Sequence, residues 1–244
     1  MCYNIAYIEK RLETLARRYH AQVTDKNKIH LPVHHVSAFA HPYWPVITSE
    51  APGEIRFYQW GLIPFFIKDL PSALKIRNQT ANCIGEEAFE KPSFRLPIRQ
   101  HRCLVPISGF YEWRTEGKAK YPYFIYGSRH ETLSLAGVYD YWKDPSSGDT
   151  LATFSIVTCQ ANHLLSKIHN EKKRMPLILR EEDEKLWLNP DAEKDEILSL
   201  VKPLADEALA AHTISKLITD KKQNSNTEEV YKPYEYPELQ LLDM

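Results

Sequence analysis

Residues 103–159 read CLVPISGFYEWRTEGKAKYPYFIYGSRHETLSLAGVYDYWKDPSSGDTLATFSIVTC. Four runs within this stretch, 103–113, 121–127, 133–142 and 152–159, are rich in β-branched and aromatic residues. Short polar segments separate them, which is the pattern of neighbouring antiparallel strands. Upstream, 34–41 (HHVSAFAH) and 54–63 (EIRFYQWGLI) read as two further strands. In the second, Ile55, Phe57 and Gln59 alternate against Arg56, Tyr58 and Trp60. RMPLIL (174–179) reads as another short strand.

Helical signals lie outside this block. Ile8, Leu12, Leu15, Ala16 and Tyr19 fall at helical spacing, which predicts an amphipathic helix over 8–20. Residues 181–188 and 193–201 read as helices that open with acids, as suits a helix N-terminus. Pro64, Pro71, Pro92 and Pro97 predict an irregular stretch over 64–100. Residues 219–230 (TDKKQNSNTEEV) read as a mobile loop, and 231–244 as a closing segment that packs back on the body. The expected fold is α+β: a single domain over 1–244, built around a curved or barrel-like, mostly antiparallel sheet with flanking helices.

The chain has 244 residues, 43% of them apolar and 26% charged, enough apolar material for a sizeable core. No apolar run approaches the ~20 residues of a membrane span, and no secretory leader is recognisable, so a cytoplasmic protein is expected. The 31 basic and 32 acidic residues nearly cancel. Their placement does not, because the stretch 91–120 holds seven basic residues and two acidic ones. Either one face is basic or the excess is ordinary surface variation.

Cys2, Cys83, Cys103 and Cys159 form no CxxC pair and match no zinc spacing. His30, His34, His35 and His41 cluster around Pro32 without a ligand-like spacing, so neither a metal nor a cofactor is expected. Cys103 and Cys159 sit in apolar strand-like runs, where a buried core role is expected. Cys2 either merely follows Met1 or becomes, after loss of Met1, a cysteine with a free α-amine. Glu112 stands among Phe110, Tyr111 and Trp113, and alternation leaves inward and outward placements equally open. Inward, desolvation would raise its pKa and prepare it for proton transfer. His169, at the end of an apolar segment, reads as a catalyst or as a capping histidine.

Eight motifs in order give the chain a family resemblance. They are Met1-Cys2, WGLIP (60–64), EKPSFR (90–95), CLVPISGFYEWR (103–114), LAGVYDYW (135–142), FSIVTCQAN (154–162), IHN with RMPLIL (168–179), and YPEL (236–239). Together they resemble the SOS response-associated peptidase family. The resemblance implies a DNA-damage protein, a monomer, that acts on single-stranded DNA carrying abasic sites and links to the lesion through its N-terminal cysteine. It implies Cys2 as nucleophile, Asn82 as the motif asparagine, Glu112 as acid/base and His169 as its partner. Trp60, Phe65, Phe66, Arg77, Arg95, Thr158 and Arg174 are the candidate DNA contacts, with core packing the alternative for the three aromatics. The chain departs from the family pattern at Tyr3 and Asn4, at Ile84 and Glu87, and by three extra residues between His169 and Arg174. Two alternatives therefore stand beside the first reading: a non-covalent nucleic-acid-binding module, and a cysteine peptidase or amidohydrolase using Cys2 and His169.

Overall fold

Alternation in the central runs gives each strand one apolar face, and two sheets form to bury those faces. A computed structural model describes residues 2–25, 28–129 and 131–239. In chain order the elements are β1 (Asn4–Tyr7), α1 (Leu12–Arg18), β2 (Gln22–Val23), β3 (Val33–Ser37), β4 (Tyr43–Thr48), β5 (Ala51–Trp60), α2 (Leu70–Ile76), β6 (Asn82–Ile84) and α3 (Pro97–Gln100). There follow β7 (Arg102–Ile107), β8 (Gly109–Glu116), β9 (Ala119–Gly127), β10 (Leu133–Lys143), β11 (Thr150–Gln160), α4 (His163–Ile168), β12 (Arg174–Pro176), β13 (Ile178–Leu179), α5 (Glu181–Leu188), α6 (Lys194–Leu200) and β14 (Leu209–Thr213).

Strands β11, β10, β7, β4 and β5 run antiparallel in that order. β5 then pairs with β11 in parallel, through Thr153 opposite Gln59 and Phe154 opposite Trp60. That pairing closes a five-stranded barrel and removes its free edges. A second sheet, ordered β14-β9-β8-β1-β3, is antiparallel throughout. The α+β architecture with a curved sheet and flanking helices is the one the sequence pattern predicts.

The run 103–113 is two strands, because the chain passes from barrel to second sheet at Ser108. The Ser108 N–H donates to the Ala6 carbonyl at 2.8 Å, and its hydroxyl accepts from Ile8 N–H at 3.0 Å. Gly109 follows because a Cβ there would stand 2.4 Å from the Phe124 ring. RMPLIL likewise splits, β12 pairing with β11 and β13 with β10. The stretch 64–100 is more ordered than its prolines predict. Pro71 sits in the first turn of α2, where its missing N–H costs nothing, and Asp69 caps that helix through Ser72 N–H at 2.8 Å. The helix expected over 8–20 is confined to Leu12–Arg18. Val230 is buried, and Asn226 accepts from His34 N–H at 2.7 Å, so the 219–230 stretch is tied to the body. Of the closing segment, 240–244 lie outside the described residues; Tyr236 donates to the Ile214 carbonyl at 2.9 Å.

Arg102 carries no exposed surface and holds the barrel to two helices. Its guanidinium donates to the carbonyls of Ile98 (2.8 Å), Arg99 (2.5 Å), Trp187 (2.7 Å) and Asn189. Replacing it with methionine strands these buried carbonyls. Arg102→Met should therefore cost roughly 3–5 kcal/mol, read as a lower urea midpoint at unchanged slope.

Candidate active site

On β8, Phe110 and Glu112 point to the main core while Tyr111 points to the opposite face. Glu112 is therefore an inward carboxyl, only 4% exposed, opposite Tyr123 of β9. Burial pushes its pKa up to about 7, with Lys172 pulling the other way.

His169 arrives from the other side, at the end of α4. Asn162 caps that helix by accepting from Leu165 N–H at 2.8 Å. His169 Nδ1 lies 2.8 Å from the Arg174 carbonyl, so Nδ1 donates and the neutral ring keeps its lone pair on Nε2. Nε2 stands 3.9 Å from Glu112 Oε2. Burial lowers the His169 pKa, which favours that neutral form. Asn170 fixes the gap between the two groups. Its Oδ1 accepts from Thr115 N–H at 3.1 Å and its Nδ2 donates to the Thr115 carbonyl at 2.8 Å, as a paired strand would.

Cys2 is fully buried, with Sγ 4.0 Å from the Asn4 carbonyl oxygen. Burial first, and the Glu112 charge second, push its thiol pKa up, so the sulfur is protonated at rest. Asn82 begins β6, opposite Ile156 of β11, and is 7% exposed. Its carboxamide lies beside the Tyr3 phenol without reaching full hydrogen-bond geometry to any described residue. A cleft of about 510 Å³ opens onto this group. Tyr3, Asn4, Glu112 and His169 line it, with Lys120, Lys172 and Lys216 as its cations. A larger hollow of about 870 Å³, beside α1 and α5, contains none of these site residues.

The expected DNA contacts divide. Phe65 and Phe66 are 55% and 43% exposed and meet edge-to-face at 5.6 Å. Arg95 is exposed. Trp60 takes its core-packing alternative, and Thr158 is a correction to the surface role expected of it, because both have no exposed area. The Trp60 indole donates to the Ala81 carbonyl at 2.8 Å and stacks on Phe154, and the Thr158 hydroxyl donates to the Cys83 carbonyl at 3.3 Å. Arg77 is buried and donates to Gln59 at 3.0 Å. Arg174 forms a two-pronged pair with Glu86, at 2.8 and 2.7 Å, and donates to the Thr158 carbonyl at 2.8 Å. That pair ties the turn after β6 to β12, and so ties Asn82 to the segment carrying His169. The sequence reading missed Asn162, Asn170 and Thr115. The asparagine beside His169 in IHN was visible, but its partner 55 positions away was not.

Of the histidine cluster, His41 holds the Trp60 carbonyl at 2.8 Å and Asn78 at 3.1 Å. Among the described residues no group of three or more His, Cys, Asp or Glu is arranged to hold a metal ion. No helix among them is long and apolar enough to cross a membrane.

A closed α+β barrel with a second sheet thus sets a buried carboxyl and an imidazole on one cleft, with the buried Cys2 thiol next to Tyr3 of its lining. The chain belongs to the SOS response associated peptidase (SRAP) family, whose model matches residues 1–221. It is 38% identical over 182 residues to the abasic site processing protein YoqW of Bacillus subtilis, spanning 74% of this chain and 78% of that one. It is 34% identical over 183 residues to the abasic site processing protein HMCES of Gallus gallus, spanning 66% and 52%. A crystal structure of a protein from Bacteroides thetaiotaomicron matches with a TM-score of 0.89 at 39% identity, covering 96% of this chain and 100% of that one.

The raised pKa of Glu112 has a stability signature. Between pH 4.5 and about 7 the unfolded chain releases this proton while the folded chain keeps it, so stability falls through that window and levels above it. The group's share is roughly 3 kcal/mol. Glu112→Gln should flatten the wild-type decline by about that amount in denaturation curves taken from pH 4 to 8.

Proposed function

We propose that this protein processes abasic sites in DNA by joining Cys2 covalently to the opened sugar of a single strand. The observation that carries the reading is Cys2 buried beside Glu112, a carboxyl with a pKa near neutrality, whose Oε2 lies 3.9 Å from His169 Nε2. The names of the relatives support abasic DNA as the substrate and DNA damage as the setting.

The chemistry follows from the groups. Hydrolysis of the Met1–Cys2 bond consumes one water and frees the Cys2 α-amine. That amine, with an ordinary pKa near 8, is available at physiological pH where a lysine at about 10.4 is mostly protonated. It adds to the C1′ aldehyde of the ring-opened sugar, and loss of one water gives an imine. Cys2 Sγ then adds to the imine carbon, and its proton passes to the nitrogen. The product is a five-membered thiazolidine, with one water lost overall. Glu112, half-ionised near pH 7, is suited both to give a proton to the leaving water and to take one from the thiol. His169 Nε2 receives or returns that proton. Asn82, beside the Tyr3 phenol, presents a carboxamide suited to orient the amine or the sugar oxygen.

The strand itself is held by charge and stacking. Lys172 and Lys216 border the cleft and suit phosphates, while Lys120 there is paired with Glu171 at 3.2 Å. Phe65 and Phe66 offer exposed rings to unstacked bases, typically worth about 1–3 kcal/mol per base. A peptidase acting on other chains would call for a thiolate paired with imidazolium. Here burial raises the thiol and lowers the imidazole, which favours aldehyde capture.

Intact mass decides the central claim. Incubation with a single-stranded oligonucleotide holding one abasic site should give protein lacking Met1 plus the oligonucleotide minus one water. Processed protein without an adduct would sink the reading. The rate of capture should inflect near pH 7. Glu112→Gln should remove that inflection and slow capture by about 100-fold, as loss of a general acid–base group does.

A further inference from the structure

Asn4 opens β1 and faces Ser37 of β3, two residues beyond His35. The His35 ring is bonded at both nitrogens: Nδ1 lies 2.7 Å from Ser225 Oγ and Nε2 lies 2.9 Å from Asn4 Oδ1. Burial pushes the His35 pKa down to about 4, so near neutral pH the ring has one N–H and one lone pair. Asn4 Oδ1 only accepts. Nε2 must therefore donate to Asn4, and Nδ1 must accept from the Ser225 hydroxyl. The neighbouring Asn226 keeps this arrangement in place, its Oδ1 accepting from His34 N–H at 2.7 Å and from His35 N–H at 3.3 Å.

This order leaves one end of the chain of bonds open. With its oxygen turned to His35, the Asn4 carboxamide has its amino group left to donate. Asn4 lines the cleft beside Glu112, His169 and Lys172. We propose that Asn4 is a substrate contact, donating from Nδ2 to an oxygen of the DNA sugar–phosphate, and that His35, held by Ser225, is the positioning residue that aims it. The proposal rests on the reading that this cleft takes abasic DNA. It makes a turn distant in sequence, 225–226, part of the site. Because Asn4 is uncharged, it adds affinity without adding to the salt dependence that lysine–phosphate contacts create.

The test is fluorescence anisotropy of the full chain with a single-stranded oligonucleotide carrying a tetrahydrofuran abasic analogue, which binds but cannot react at Cys2. Asn4→Ala should weaken binding about tenfold with an unchanged slope of log affinity against log salt. His35→Leu should weaken it about fivefold. His35→Gln, which keeps a donor toward Asn4, should restore near-wild-type affinity, which a merely structural role would not require. Methylphosphonate linkages flanking the lesion sort the acceptor. Loss of the Asn4→Ala effect there assigns a phosphate oxygen, and its persistence assigns a sugar oxygen. Unchanged affinity in Asn4→Ala or in His35→Leu, or no binding by the wild type, overturns the proposal. Adduct formation with true abasic DNA, followed in parallel, keeps the two claims apart. Shifted affinity without an adduct defeats only the Cys2 chemistry, and an adduct without shifted affinity defeats only the role of Asn4.

Discussion

Strand β11 carries the molecule. It pairs with β10 and, in parallel, with β5 to close the barrel, and it pairs again with β6 and β12 at its other end. One ladder thus seats Asn82 at the start of β6 and fixes the run after His169. The Arg174 guanidinium, anchored on Glu86 and on the Thr158 carbonyl, staples these two attachments together. The Arg174 carbonyl in turn sets the histidine tautomer. A slip of one residue in β11 would send the site side chains to the wrong face, so barrel closure and site geometry are one constraint.

The site's electrostatics come from burial more than from charge pairing. Glu112, Cys2 and His169 are all pushed toward their neutral forms, in the same direction and mainly by the same cause. A low-dielectric floor holding three neutral groups, with lysines at the rim, separates two tasks. The rim suits attraction of an anionic strand. On the floor, Glu112 alone has charged and uncharged forms that differ little in free energy near pH 7, while Cys2 and His169 are held neutral.

Much of this was legible in the sequence, for a physical reason. The strand runs at 121–127, 133–142 and 152–159 were readable because alternation has a fixed period whatever the partner. The resemblance implied one constellation of Cys2, Asn82, Glu112 and His169, and Glu112 and His169 stand 3.9 Å apart. What alternation leaves open is which face is which. Glu112 needed the second sheet to define inside. Trp60 needed the β5–β11 closure, where it lies opposite Phe154, and Thr158 needed β6 and β12, which flank it on β11. Arg174 looked like a phosphate ligand because an arginine in sequence carries no sign of its partner. Glu86 lies 88 positions away, and the two meet only because β6 and β12 share β11. Prolines misled at 64–100, since Pro71 and Pro97 open helices rather than prevent them.

Glu112 belongs to the second sheet, whereas His169 hangs from the barrel. Their 3.9 Å separation is therefore a gauge of how the two sheets sit on each other. A relative slide of about 1 Å would turn that gap into a hydrogen bond or abolish the contact. The Asn170–Thr115 clamp resists the slide, and the crossover at Ser108–Gly109 joins the two sheets covalently. Substitutions far from the cleft at either point would change the spacing of the carboxyl and the imidazole as a vernier does, without altering either group.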